Sequence, residues 1–456
     1  MTTTSTTTDH DGPIDSVGPS RRRLLGGALG AAAAFGLAAC GPGSSGGPGE
    51  APPVAGGGGA EKYDGPNVEL AFWNGLTGGD GPIMRKLCTE FTTANPNIKV
   101  SMTAIAWAEY YQKVPAAVSN GRAPDVGIMH SDSVATNAAR RVIQPIDDVA
   151  EALKLTENDF TALSWKGGEY KGQRYGIPLD MHPAGLFYNK TVMQTAGLDP
   201  EKPPTTGDEL MEMLEKIKAK GIQGMWTSAL SVFGLESQTL VYQFGGKMVN
   251  DDGLTVGFAE EPAIQAINWF KALIDQGHSP KNAAGDGNYV SFTNDKSAFM
   301  INGPWNTTPL NALKKLKWGA APVPVIGTEQ ATWAGTHQFV LPRQLKPNEN
   351  KAIASRVFVN WISQQSLPWA DAGMVPARKS VRESEEFKAK GAVNEFAKAV
   401  DYIRFVPPIP GVNDVMPEWN AAVSKAMLGK QDTAAALGEA AERANKILAS
   451  NAKKYG

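Results

Sequence analysis

The stretch that most constrains this chain is residues 175–190, Tyr-Gly-Ile-Pro-Leu-Asp-Met-His-Pro-Ala-Gly-Leu-Phe-Tyr-Asn-Lys. It is apolar, broken twice by proline, and carries Asp180 and His182 between two hydrophobic runs. Pro178 and Pro183 fix their own φ and push the residue before each into extended geometry. Residues 177–179 and 186–188 are rich in aliphatic and aromatic side chains and read as short buried strands. Two readings follow. The segment is a crossover between two lobes with Asp180 and His182 facing a cleft, or it is one strand and a turn inside a single lobe.

The length favours two lobes, because 456 residues exceed one comfortable core. Hydrophobic content of 42% and charged content of 20% suit a soluble globular protein. The formal net charge is -2, and it stays at -2 without residues 1–39, which hold three aspartates and three arginines. No basic stripe is left to grip polyanions, which argues against a nucleic-acid partner.

The first forty residues read as targeting rather than fold. Arg21, Arg22 and Arg23 precede an Ala/Gly/Leu run over residues 24–39, 16 residues long. That is short of the ~20 a membrane-spanning helix needs. A positive region, an apolar region and small residues before a cut site define a secretory signal, here twin-arginine-like. Leu-Ala-Ala-Cys at 37–40 resembles a bacterial lipobox, which makes Cys40 the lipidated first residue after cleavage. Residues 40–64, rich in Gly, Pro and Ser to Ala60, then form a flexible tether. Cys88, the second of two cysteines, is left without a disulfide partner and reads as a small core residue of a helix.

Along the remaining chain strands and helices alternate. Residues 68–73, 98–105 and 126–130 read as strands. A helix follows the glycine-rich loop 74–82 with Asp80 as its N-cap, and another spans 110–119 despite Pro115. Amphipathic helices are expected at 210–220, 262–276 and 352–363, with Gly277 ending the second. Residues 335–342 and 373–378 are further candidate crossings. Alternation with short loops argues an α/β lobe on a mainly parallel sheet.

Enzyme signatures are absent from the sequence. The five histidines stand apart, with no His-Glu-x-x-His and no Cys-x-x-Cys, so no metal ligands have usable spacing. No Gly-x-Ser-x-Gly elbow occurs. Leu-Thr-Gly-Gly-Asp-Gly at 76–81 lacks the Lys-Ser/Thr of a phosphate loop. Asn-Asp-Asp-Gly at 250–253 lacks the spaced acids of a calcium loop. No cofactor is implied. Asp132 and Asp180 could mimic a glycosidase pair, and that alternative stays open.

Four strings, in this order, carry a family resemblance: Phe-Trp-Asn-Gly at 72–75, Ala-Pro-Asp-Val-Gly-Ile-Met-His-Ser-Asp at 123–132, Gly-Ile-Pro-Leu-Asp at 176–180 with Tyr-Asn-Lys at 188–190, and Met-Ile-Asn-Gly-Pro-Trp at 300–305. The chain from residue 66 to 440 resembles the extracellular solute-binding proteins of carbohydrate ABC importers, the branch that includes maltose-binding protein. The resemblance implies a two-lobe, type II periplasmic-binding fold. Lobe 1 would be 65–177 with 338–368, and lobe 2 would be 178–337 with 369–456. It implies a monomer that holds a sugar between lobes and hands it to membrane permease subunits. Asn74, Thr77 and Asp80 would supply polar groups from the first loop, Asp132 would follow a strand, and Asp180 would hydrogen-bond the ligand. Trp305 would be the aromatic platform and Trp419 would flank the site, although its spacing departs from the pattern. Trp107, Trp226, Trp333, His182 and His337 fall in segments placed near the cleft. The chemistry suits sugars, whose hydroxyls pair with carboxylates and amides and whose C–H faces stack on indoles. A polyol or glycerol-phosphate-type ligand is the alternative, with Arg378 and Arg404 as candidate phosphate partners.

Overall fold

The computed structural model describes residues 61–228 and 234–455. The export segment, Cys40 and the tether up to residue 60 lie outside the described residues. The described chain opens with β1 (Val68–Asn74), helix α1 (Asp80–Ala94), β2 (Ile98–Ala104), helix α2 (Trp107–Ser119), β3 (Val126–His130), helix α3 (Ser131–Ala139) and β4 (Ile143–Gln144). A small hairpin, β5 (Glu169–Tyr170) with β6 (Gln173–Arg174), leads into β7 (Ile177–Pro178), β8 (Asp180–Pro183) and β9 (Gly185–Asn189). Later come β10 (Phe299–Asn302), β11 (Trp318–Ala321), β12 (Thr332–Gly335), β13 (His337–Pro342), β14 (Val375–Pro376) and β15 (Ile403–Arg404).

Six strands make the first sheet, ordered β2-β1-β3-β13-β4 with β7 also on β13. β1 runs parallel to β2 and β3, but β13 is antiparallel to β3, β4 and β7. The sheet is therefore mixed rather than mainly parallel. A strand that returns from another part of the molecule enters it without a helical crossover, so no rule forces it to be parallel. The second lobe carries an antiparallel sheet β10-β9-β11, and beside it lies the sheet β14-β8-β12-β15.

The stretch 175–190 is a crossing. β7 belongs to the six-stranded sheet and β8 to the four-stranded one, with Leu179 alone between them. Thr336 plays the same part between β12 and β13. The two switch points are bonded to each other: Leu179 N donates to His337 O at 2.9 Å, and Thr336 Oγ1 to the Asp180 carbonyl at 2.5 Å. The single-lobe reading of this stretch is thereby excluded.

Separate apolar cores sit on either side. Leu70, Phe72, Phe91, Ile128, Ile177, Phe339 and Phe358 pack in the first. Leu186, Leu214, Ile267, Phe270, Phe299 and Trp419 pack in the second. Each core follows from the stripe its helices present. In α1, Met84, Leu87, Cys88 and Phe91 recur every three to four residues and are buried. Burial pushes the Cys88 thiol up to about 12, as expected for an inert core cysteine.

Asp80 differs from its expected capping role. Gly79 occupies the N-cap without a side-chain hydrogen bond, and Asp80 is the first helical residue. Its carboxylate stays near the positive end of α1 without closing the cap.

Candidate functional site

The crossings meet at Asp180, which is fully buried. Its Oδ1 accepts from His182 Nδ1 at 3.2 Å and from the His337 backbone N–H at 3.2 Å. Its Oδ2 accepts from His337 Nδ1 at 2.8 Å and from Trp369 Nε1 at 2.8 Å. A buried carboxylate is costly unless paired and hydrogen-bonded, and here four protein donors saturate it. The carboxylate that the sequence assigned to the ligand has both oxygens occupied by the protein. Burial alone would raise its pKa, but the His337 charge and the two imidazole hydrogen bonds hold it well below the usual carboxylate range.

Three imidazoles surround this carboxylate. His182 stands in β8 opposite Gly335, where a Cβ would fall 2.2 Å from His182 Nε2, so the strand pair requires glycine there. His337 begins β13 and stands opposite His130, the last residue of β3. Tyr111 fixes His130: its hydroxyl accepts from the His130 backbone N–H at 2.9 Å and lies 2.8 Å from His130 Nδ1 in a hydrogen bond whose donor follows the ring's tautomer. One ring nitrogen from each of His130, His182 and His337 lies within 4.8 Å of the others. These residues are 52 and 155 apart in sequence. The absence of usable metal-ligand spacing in the linear sequence is thus corrected by the crossings, which assemble the set.

The cluster carries its charge unevenly. Burial opposes a charge on His337, but the Asp180 carboxylate outweighs it and raises that imidazole above its ordinary pKa. Burial lowers His182, and the His337 charge lowers it further. Burial and both neighbouring imidazoles push His130 well below its ordinary value. The arrangement is one carboxylate bonded to two imidazoles, with positive charge favoured on His337 and disfavoured on His182 and His130.

Aromatic rings wall the cluster. Trp107 stacks on His337 at 5.5 Å and 14°, and its centroid lies 4.3 Å from that of His130. The ring covers Gly75, where a Cβ would sit 2.0 Å from the indole. Trp305 meets His182 edge-on at 6.0 Å, and Trp333 meets it at 5.9 Å. Trp107, Trp305 and Trp333 are each half-buried. Trp305 packs against both the first and the second core.

The first loop adds polar atoms with no protein partner. Asp80 is buried, and its Oδ1 has no hydrogen bond. Burial raises its carboxyl, with the His337 charge opposing, so Asp80 lies within electrostatic reach of the cluster. Asn74 Oδ1 accepts from Leu76 N at 3.1 Å, but its buried Nδ2 has no partner. Asn74 ends β1 and Asp80 starts α1, so both lie at the carboxyl end of parallel strands, where open α/β sheets bind ligands. Across from them, Gly79 meets Thr308, and the Thr307 hydroxyl is also buried without a partner. Thr77 is exposed on the same loop.

Other expected site residues fall elsewhere. Trp419 is fully buried in the second core, 5.1 Å from Phe258, with Nε1 donating to Ser237 Oγ at 3.3 Å. Its helix, Met416–Met427, turns it inward with Ala422, Val423 and Ala426, so it is core rather than flank. Trp226 is half-buried with its indole N–H unpartnered, and no ring contact joins it to the cluster among the described residues. Asp132 lies in the first turn of α3 and takes a hydrogen bond from Ser133 Oγ at 3.1 Å. Burial raises its carboxyl against hydrogen bonds from Asn413 and Ser133, and its charge acts on Tyr111. With Asp180 saturated, the two do not present a pair of free carboxyls.

Sequence reasoning missed His130, Tyr111 and Trp369. Only Tyr111 left a signal: it follows Trp107 by four residues and so shares its helix face. It also missed Glu236, buried in helix Leu235–Gln243, whose carboxyl burial pushes up to about 7 although Asn288 Nδ2 donates to it at 2.6 Å. No described helix is long and apolar enough to cross a membrane.

Comparison with known proteins agrees with this architecture. A maltotriose-binding protein of Pyrococcus abyssi (strain GE5 / Orsay) is 23% identical over 357 residues, covering 76% of this chain and 75% of that one. A sn-glycerol-3-phosphate-binding periplasmic protein of Shigella dysenteriae serotype 1 (strain Sd197) is 29% identical over 161 residues, 34% of this chain and 36% of that one. The GacH receptor of Streptomyces glaucescens GLA.O, solved unliganded and with acarbose, superposes with a TM-score of 0.74 at 22% identity. That match covers 84% of this chain and 99% of the receptor. The fold is that of the two-lobe, type II periplasmic binding proteins. The family profile of the bacterial extracellular solute-binding proteins matches residues 86–395, more than half of the sequence, and the chain belongs to that family.

Proposed function

We propose that this protein captures a carbohydrate outside the cell and delivers it to the permease of an ABC importer. The observation that carries the reading is the set of rings and unpartnered polar atoms gathered where the crossings meet. Half-buried indoles of Trp107, Trp305 and Trp333 stand beside buried polar atoms of Asp80, Asn74 and Thr307 that no protein group satisfies. An unpartnered buried polar atom costs ~1–3 kcal/mol, which a ligand hydroxyl would recover. Indole faces take the C–H side of a sugar ring. The maltotriose-binding name of the Pyrococcus relative and the acarbose complex of GacH support the ligand class.

In this reading the lobes, 65–177 with 338–368 and 178–337 with 369–456, turn about Leu179 and Thr336. A ligand touching both biases them toward closure. A glycerol-phosphate-type ligand fits less well. Arg404 pairs with Glu329 at 3.9 Å, and Arg378, although its buried Nη2 has no partner, lies beside Leu153, Lys154 and Gln364 rather than at the imidazole cluster.

The test is a tryptophan-fluorescence titration against a library of mono- and oligosaccharides, polyols and glycerol phosphate. Saturable binding of a saccharide without turnover is expected. Hydrolysis products would overturn the reading, and so would binding confined to the phosphorylated compound. The protein is further proposed to act as a monomer tethered to the membrane through a lipid on Cys40. Cys40→Ala should abolish lipid labelling and membrane retention, and unchanged labelling would remove the anchor.

A further inference from the structure

We propose that His130, His182 and His337 form a binding site for one divalent transition-metal ion of the imidazole-preferring class, such as Zn²⁺, Ni²⁺ or Cu²⁺. The site goes beyond the carbohydrate reading and depends on none of its steps.

Imidazole nitrogens suit these ions, and metal-binding histidines characteristically have the other ring nitrogen held by a carboxylate or similar acceptor. All three rings here are held through Nδ1. Asp180 takes the Nδ1 of His182 and His337, and the Tyr111 hydroxyl bonds that of His130. The side-chain hydrogen bonds of these rings among the described residues all use Nδ1, and metal ligation through Nε2 requires each Nε2 to be unprotonated, so His337 would release a proton on loading. Asp180 therefore stands to the cluster as an outer-shell carboxylate that sets two rings at once, and the indole N–H of Trp369 fixes the carboxylate in turn.

Distances agree to within a small adjustment. A metal–nitrogen bond of about 2.0–2.1 Å in tetrahedral geometry separates the nitrogens by about 3.4 Å. The cluster has its ring nitrogens within 4.8 Å of one another, so rotation of the rings by about an ångström closes the set. Asp80 supplies a second, independent observation. It is 6% exposed, its Oδ1 is unpartnered, and its charge acts on His337. Asp80 is not part of the set of ligand atoms within 4.8 Å of one another, so it would act on a bound cation through its charge rather than as a direct ligand. The neighbouring indoles exclude bulk solvent, which strengthens any charge interaction inside.

The test is equilibrium dialysis and calorimetry of the EDTA-stripped full chain with ZnCl₂, together with the visible spectrum on titration with CoCl₂. One equivalent should bind with a dissociation constant in the micromolar range or tighter, and cobalt should give the absorption of a nitrogen-rich tetrahedral site. His130→Gln and His182→Ala should each weaken binding by about tenfold to a hundredfold or more. His278→Gln, outside the cluster, should leave it unchanged. Circular dichroism checks each fold, and His130→Gln keeps the question open to decision if His182→Ala unfolds. Absence of saturable zinc binding by the folded parent chain would overturn the proposal. So would binding that survives the cluster variants or is lost in His278→Gln. Saccharide titrations are run separately with and without metal, so failure of the metal isotherm and failure of sugar binding are distinguishable.

Discussion

Two aspartates within electrostatic reach of one another, near the crossings, have opposite fates. Asp180, on the crossing, is surrounded by four donors from three segments that meet only in the fold. Asp80, on the first loop, is buried almost as deeply but has an oxygen with no partner. Burial pushes both carboxyls up; the imidazoles reverse the shift at Asp180 but not at Asp80. Depth does not decide whether a buried acid is structural or functional. Partner supply does: a saturated carboxylate is mortar, and an unsaturated one is an unmet demand that a ligand can fill.

The sharpest way to break this comparison is Asp180→Asn. It leaves the His337 charge without its counterion inside the protein, so stability should fall by ~3–5 kcal/mol in urea unfolding. A full-strength fold with lost ligand binding would instead return Asp180 to the ligand.

Trp305→Ala probes the ground between the two regions. The ring packs on both cores yet is half-buried, so the change should lower stability by ~1.5–3 kcal/mol, less than a core tryptophan. Saccharide affinity should weaken by roughly tenfold to a hundredfold, at ~1.4 kcal/mol per decade. A variant that loses stability but binds normally when folded would place the indole wholly in the core.

Asp80→Asn sharpens the other side. It removes the cost of an unpaired buried charge, so the melting temperature should hold or rise. Ligand affinity should drop by ~1–2 kcal/mol in calorimetry. A marked loss of stability with unchanged affinity would make Asp80 the structural acid.

The smallest effect is on pH dependence, and its sign differs between rings. His337 has a folded pKa above its unfolded value. Its contribution is complete below about pH 6.5 and is lost as pH rises through the raised pKa. His130 and His182 have folded values below it, so acid is taken up by the unfolded chain first and stability falls as pH drops below about 6.5. Two lowered rings act against one raised ring, so the net change below about pH 6.5 is a loss of stability. Melting temperature should therefore pass through a shallow maximum near neutrality. A monotonic rise across pH 5.5–8.5 would contradict the raised His337.

The sequence by itself determined the local pieces. Alternating strands and amphipathic helices, the buried Cys88, the Gly277 stop and the proline-broken crossing all follow from periodicity and backbone sterics, which act over a few residues. The loop carrying Asn74 and Asp80 was legible for the same reason, since a glycine-rich segment between strand and helix marks a strand's carboxyl end. Only the tertiary structure decided the rest. His130, His182 and His337 look isolated in the sequence because their spacing carries no local period. They meet because β3 ends, and β8 and β13 begin, beside the same switch points. Trp419 reads like any tryptophan beside a proline-rich turn, yet helix packing buries it against Phe258. Asp180 was recognisable as a charge in an apolar run, but its partners come from as far away as Trp369, 189 residues on. Whether a buried charge is satisfied depends on contacts distant in sequence, and local pattern cannot supply those.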